Sequence, residues 1–163
     1  MTTTDELLNR NAERTVPATT GGSSAVPSRN VAVVTCMDTR ISPYEVLGLH
    51  TGEAHVLRNA GGIVTDDVIR SLALSQRKLQ TREVMVVQHT GCGVGTVTED
   101  GFKDELESAT GVRPTWSVEA FADVYESVRR SVRRVRSSHF LPHADQVRGF
   151  VLDIDSGKLT EVS

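Results

Sequence analysis

The sequence predicts an α/β fold, with a mainly parallel β-sheet of four strands plus an edge strand, flanked by helices and preceded by an N-terminal helical arm. Two observations lead to this prediction. Short apolar runs rich in β-branched residues, typical of buried strands, alternate with stretches in which apolar residues recur every three or four positions. Glycine, proline and capping residues separate these stretches. Strands that alternate with helices usually form a parallel sheet covered on both faces.

The predicted strands are short and end in turn residues. Four have the composition of buried strands, and the turn Asp155-Ser-Gly157 leads to a fifth that reads as an edge strand. Their ranges are 30–36, 54–59, 82–89, 149–153 and 158–162.

The predicted helices begin at capping residues. Thr4-Asp5 caps a short helix through Arg14, and Ser42-Pro43 opens a brief helix that ends near Gly48. Longer helices are expected over 65–79, 98–110 and 117–137. The last has an apolar stripe at helical spacing, made of Val118, Phe121, Tyr125, Val128, Val132 and Val135.

Length and charge limit the possible functions. A chain of 163 residues has the size of one domain, so we expect a single domain over 1–163, with an arm at 1–28 and an α/β core at 29–163. The 18 Lys and Arg residues against 21 Asp and Glu residues give a net charge of −3, which argues against a nucleic-acid or anionic-membrane partner and favours a small-molecule substrate. Neither a secretory signal nor a membrane-spanning run is visible, which predicts a cytoplasmic protein.

The two cysteines lie at the ends of two predicted strands. The apolar run 31–35 ends at Cys36, and the run 84–87 leads to His89 and then Cys92. In a parallel sheet these residues meet at one edge, and two thiolates with an imidazole suit zinc. Their separation along the chain is unlike that of a structural zinc finger, so a fourth position is expected to be open for chemistry. Either cysteine alone would more often be a core residue.

The segment after the first strand adds a carboxylate and a guanidinium. Cys36-x-Asp38-x-Arg40 followed by His89-x-x-Cys92 resembles the signature of the β-class carbonic anhydrases, and the segment 58–62, Arg-Asn-Ala-Gly-Gly, is similar to that family's intervening motif. The short chain and the acidic helix start after Thr65 are most similar to the archaeal and actinobacterial branch.

The resemblance implies a function and a set of site residues. One Zn²⁺ per chain is held by Cys36, His89 and Cys92, and zinc-bound hydroxide converts carbon dioxide reversibly to bicarbonate and a proton. Asp38 and Arg40 are the implied catalytic pair, with Asp38 also able to close the site as a fourth ligand. A simple surface ion pair is the alternative interpretation of these two residues, but two positions just after a strand end are an unusual place for one, which favours the functional role.

The resemblance also implies substrate contacts and an assembly. The backbone of Gly93 is the expected donor to a substrate oxygen, and Gly61 is a second candidate. Family members are dimers whose N-terminal arms wrap the neighbouring subunit, so we expect a homodimer or a larger even-numbered oligomer.

Three other functions are compatible with parts of the sequence. A cysteine nucleophile, as in a phosphatase or a sulfurtransferase, is disfavoured because Cys36 reaches Arg40 too soon and through a carboxylate that would repel an anion. The same fold can act as a carbonyl sulfide or carbon disulfide hydrolase. It can also be a non-catalytic zinc-binding homologue, against which the retention of Asp38 and Arg40 argues.

Overall fold

The computed structural model describes residues 2–14 and 24–163, and it contains a five-stranded sheet with the strand order β2-β1-β3-β4-β5. The first four strands are parallel, and β5 pairs antiparallel with β4 at the edge. This confirms the predicted fold class. The strands are β1 (Val31–Cys36), β2 (Ala54–Asn59), β3 (Glu83–His89), β4 (Val147–Leu152) and β5 (Leu159–Val162).

Five α-helices accompany the sheet in the described part of the chain. They are α1 (Thr3–Ala12), α2 (Pro43–Leu47), α3 (Asp66–Lys78), α4 (Glu99–Thr110) and α5 (Val124–Arg136), and 3₁₀ turns lie at Ala60–Gly62 and Gly93–Thr96. The predicted caps of three helices are present. Ser42, Thr65 and Thr98 each accept a backbone N–H of the first turn. Helices α2 and α4 end at Gly48 and Gly111, whose backbones adopt the left-handed conformation.

The two faces of the sheet form separate apolar clusters. Helices α3 and α5 cover one face, where Leu72 and Val128 are completely buried beside Val34 and Val86. The opposite cluster consists of Val33, Cys36, Ile41, Val87, Cys92, Phe150 and Leu152. Because side chains alternate across a strand, the neighbours Val33 and Val34 belong to different clusters. Both cysteines therefore lie on one side of the sheet.

Two predictions about helix ends were wrong. The helix predicted from residue 117 begins at Val124, because the Asp123 side chain caps it by accepting the N–H groups of Tyr125 and Glu126. Residues Val118 and Phe121 thus lie outside the helix, although the predicted stripe is correct for Val128, Val132 and Val135, which are buried.

At the N-terminus, Thr2 rather than Thr4 caps α1, in a capping box with Asp5. The irregular arm predicted over 16–28 falls mostly at residues 15–23, outside the described residues. Among the helices that are described, none combines the length and the apolar content needed to cross a bilayer.

Candidate metal centre

The ends of β1 and β3 bring two cysteines and a histidine together. These strands are parallel neighbours with Thr35 opposite Val87, so Cys36 and His89 reach the same sheet edge. Cys92 follows after a tight turn through Gly91, whose φ is 63°. The ligand atoms of Cys36, His89 and Cys92 all lie within 4.8 Å of one another, and the two Sγ atoms are 3.9 Å apart. All three residues are buried.

The orientation of His89 fits metal binding. Its Nδ1 lies 2.9 Å from the Thr90 carbonyl oxygen, which can only accept, so Nδ1 carries the proton and Nε2 has a free lone pair. Nε2 is buried and has no hydrogen-bond partner among the described residues. Two sulfurs at about 2.3 Å from a tetrahedral zinc would be about 3.8 Å apart. The observed separation of 3.9 Å is close to that value.

The two thiols influence each other's ionisation. The hydrogen bond from Cys92 lowers the pKa of Cys36, although burial of Cys36 opposes this effect. The same contact raises the pKa of Cys92, and burial raises it further. The first proton therefore leaves readily and the second is retained, so a bound cation is what would favour two thiolates at this site.

Asp38 and Arg40 form a two-point ion pair beside these residues. Arg40 donates from Nε to Oδ1 at 2.9 Å and from Nη2 to Oδ2 at 2.7 Å, and its backbone N–H also reaches Oδ1. These hydrogen bonds hold the pKa of the Asp38 carboxyl well below its usual range. Oδ2 lies 3.8 Å from Nε2 of His89, so the carboxylate is adjacent to the possible metal position.

Arg58 has a structural role that sequence reasoning did not assign. It donates from Nε to the Cys36 carbonyl at 2.9 Å and from Nη2 to the Asp38 carbonyl at 2.7 Å. Asn59 closes the following turn through two hydrogen bonds to the backbone of Ile63. Both side chains therefore fix the backbone near Cys36. The cue was the position of Arg58 on β2, the strand beside β1.

The two glycines of the predicted site, Gly61 and Gly93, and the neighbouring Gly62 differ in their surroundings. Gly62 has φ 64°, and a Cβ there would lie 2.7 Å from the Cys36 nitrogen, so only glycine fits against the end of β1. Gly61 has φ 82° and packs near Phe121. A Cβ on Gly93 would meet nothing within 4 Å, so the predicted role of its amide does not depend on the absence of a side chain.

A mostly apolar cavity of about 850 Å³ adjoins the centre. Cys36, Asp38 and Cys92 line one side, together with Gly61 and Gly93. Residues 116–119 form part of another wall, which the sequence analysis missed because it assigned 117–123 to a helix. An apolar cavity beside a charged centre suits a small uncharged substrate.

Comparisons with known proteins agree with this geometry. The family model described as carbonic anhydrase matches residues 31–159. Beta-carbonic anhydrase 1 of Mycobacterium tuberculosis is 48% identical over 163 residues, which cover 100% of this chain and 99% of the relative. A carbon disulfide hydrolase of Acidithiobacillus thiooxidans is 32% identical over 157 residues, covering 81% and 72%. The crystal structure of a Streptococcus mutans carbonic anhydrase superposes with a TM-score of 0.91 at 38% identity, covering 100% and 99% of the two chains. The chain belongs to the β-class carbonic anhydrase family.

Proposed function

We propose that this enzyme catalyses the zinc-dependent, reversible hydration of carbon dioxide to bicarbonate and a proton. The observation that carries the proposal is the free lone pair of His89 Nε2, which lies within reach of two thiols and of a carboxylate held by Arg40. Family membership supports the same activity. We assign one Zn²⁺ per chain to Cys36, His89 and Cys92.

The residues of the site have separate roles in the proposed reaction. Zinc, when bound, supplies Lewis acidity that makes a hydroxide nucleophile available near neutral pH. Asp38 accepts a hydrogen bond from the nucleophile and so orients it, while Arg40 fixes the carboxylate from the opposite side. The apolar cavity admits carbon dioxide without competing hydrogen bonds, and the Gly93 N–H is the proposed donor to a substrate oxygen.

Carbon disulfide is a second candidate substrate, because a relative with 32% identity is named a carbon disulfide hydrolase. The apolar cavity is compatible with either gas. Stopped-flow measurement of proton release with carbon dioxide, carbonyl sulfide and carbon disulfide in turn distinguishes the alternatives. We expect carbon dioxide to be turned over fastest. A chain that hydrolyses only the sulfur compounds, or none of the three, would contradict the proposal.

The metal assignment has its own experiment. Cys92→Ser replaces a thiolate by a neutral hydroxyl, a far poorer ligand, and should remove most of the zinc together with the activity. His89→Gln should act in the same way, whereas His50→Gln, at an exposed position, serves as the control and should keep both. Zinc is measured per chain by elemental analysis. Full zinc content in Cys92→Ser would contradict the assignment.

We further propose a cytoplasmic location and an even-numbered assembly. Both cysteines are free thiols, which fits a reducing compartment. In the described part of the chain, α1 buries no residue, and its Leu7 and Leu8 side chains are exposed. A partner subunit would cover them.

A further inference from the structure

The segment between α4 and α5, residues 112–123, is a long connection that we call the cavity loop. Trp116, Ser117, Val118 and Glu119 line the same cavity as Cys36 and Asp38. Further along the loop, Phe121 packs against the apolar cluster that contains both cysteines. The conformation of the cavity loop therefore determines the shape of the cavity next to the metal centre.

One carboxylate from outside the loop binds its centre. Glu99, in the first turn of α4, accepts the N–H of Val118 on Oε1 at 3.0 Å and the N–H of Glu119 on Oε2 at 3.0 Å. The Ser117 hydroxyl donates to the same carboxylate at 3.4 Å. Lys103, one turn along α4, forms an ion pair with it at 2.9 Å. Glu99 thus holds three consecutive loop residues.

One residue of the cavity loop has a strained backbone conformation. Glu119 has φ 59°, and it is one of three non-glycine residues with positive φ among the described residues. The left-handed region is disfavoured for any residue that has a Cβ. The Glu119 carboxylate is also fixed, by Arg134 at 3.3 Å and Arg130 at 3.5 Å, both from α5. The strained residue is therefore held through its N–H by α4 and through its side chain by α5.

Phe121 connects the loop to the glycine turn behind the metal ligands. Its Cε1 atom lies 3.3 Å from the position of a Cβ on Gly61, and its carbonyl oxygen lies 3.4 Å from that of Gly95. Both glycines flank the ligands, Gly61 after β2 and Gly95 after Cys92. A shift of the loop would consequently be transmitted to both turns, while Cys36 and His89, which lie at strand ends, stay in place.

We propose that Glu99 is a positioning residue for carbon dioxide hydration, because it fixes the cavity loop as a wall of the cavity beside the metal centre. The inference rests on the proposed function. Glu99 binds neither the metal nor the substrate; it acts through Val118 and Phe121. Without this carboxylate the wall loosens, so carbon dioxide is held less well near the nucleophile while the metal stays bound.

The experiment uses Glu99→Gln in the full-length zinc enzyme. A carboxamide keeps the size of the side chain, but it can no longer accept both N–H groups and the ammonium. We expect KM for carbon dioxide to rise about tenfold, with a smaller change in kcat and an unchanged zinc content. Glu105→Gln is the matched control, since it removes the same charge from an exposed position on the same helix.

The fluorescence of Trp116 can report on the conformation of the cavity loop. Trp116 is the only tryptophan of the sequence, and its side chain is 55% exposed. In Glu99→Gln we expect lower fluorescence anisotropy and stronger acrylamide quenching than in the wild type, at an equal sedimentation coefficient. Glu99→Asp keeps the charge but is shorter, so it should give intermediate values; it also serves if Glu99→Gln folds poorly.

Two results separate this inference from the proposed function. An active wild type with equal KM and equal Trp116 quenching in wild type and Glu99→Gln would overturn the inference and leave the proposed function standing. A wild type that does not hydrate carbon dioxide would overturn the proposed function and, with it, the catalytic part of the inference. In that case altered quenching would still support Glu99 as the residue that fixes the loop.

Discussion

At the scale of single residues, Asp38 has a choice of two partners. Arg40 binds it with two parallel hydrogen bonds, and the same guanidinium also donates to the Gly91 carbonyl at 3.0 Å. On its other side, Oδ2 is only 3.8 Å from His89 Nε2. A small rotation would therefore bring the carboxylate within reach of a metal at this site, where it would occupy the position needed for chemistry.

The first prediction is that Arg40→Ala retains its zinc but loses most of its hydration activity, because the released carboxylate takes the fourth position. Arg40→Lys should rescue it poorly, since a point charge cannot reproduce the two-point geometry. Arg148→Ala is the matched control, because Arg148 forms an equivalent pair with Glu161 away from the centre. Near wild-type turnover in Arg40→Ala, by stopped flow at equal zinc content, would contradict this.

The sequence was sufficient to predict that Cys36, His89 and Cys92 lie together, but not that Arg58 supports the backbone beside them. Cys36 and His89 could be placed together because parallel strands end at one edge of a sheet. The role of Arg58 depends on the register in which Asn59 lies opposite Cys36, and apolar periodicity alone does not determine that register.

At the scale of elements, the 3₁₀ turn after β2 packs closely against the backbone of Cys36 through Gly62. Our second prediction is that Gly62→Ala destabilises the fold by about 2–4 kcal/mol, because a left-handed alanine would also collide with the Cys36 nitrogen. Gly157→Ala is the control. Its φ is 71°, but a Cβ there meets nothing within 4 Å, so it should cost about 1–2 kcal/mol. Urea unfolding measures both, and equal losses would contradict the prediction.

The start of α5 shows where periodicity failed as a predictor. Val118 and Phe121 continue the helical spacing of Val128 and Val132, yet both lie in a loop. Val118 lines the cavity, and Phe121 packs against the apolar cluster that contains both cysteines. Their spacing has the same physical cause, contact with apolar surroundings. The N–H groups of Val118 and Glu119, however, donate to the Glu99 carboxylate instead of forming helical hydrogen bonds. In the sequence, the acidic residues after Thr98 indicated only the start of a helix, and they gave no sign that Glu99 would bind the loop.

The third prediction concerns pH and the same carboxylate. The Lys103 ammonium and the Val118 N–H lower the pKa of Glu99 from 4.5 to about 2. Its stabilising contribution is therefore complete above about pH 4.5 and is lost as the pH falls towards 2. Wild type should unfold at higher urea concentration than Glu99→Gln at pH 6, and the difference should shrink towards pH 2. A difference in urea midpoint that does not change with pH would contradict this prediction. The control Glu105→Gln should unfold at the same urea concentration as the wild type.

At the scale of the whole molecule, the described chain leaves apolar surface uncovered. Leu7 and Leu8 of α1 are 57% and 63% exposed, and Met37 beside the centre is 63% exposed. By contrast, Ala25 and Pro27 are packed against the rest of the described chain. Pro27 is buried, and the Ala25 carbonyl contacts His55 Nε2 at 3.0 Å. Residues before and after the undescribed stretch 15–23 can therefore be tested separately.

The fourth prediction is that the intact chain sediments as a dimer or a larger even-numbered oligomer, and that deletion of residues 1–14 shifts it towards the monomer with loss of activity. An exposed helix with two adjacent leucines gains stability only by covering them, and in an oligomer another subunit provides the contact. The deletion keeps Ala25 and Pro27 and hence the packing of the core.

Leu7→Glu with Leu8→Glu should act like the deletion, whereas Leu74→Glu, equally exposed on α3, is the control and should leave assembly unchanged. A fully active monomer after the deletion would show that the arm is not needed to complete the enzyme.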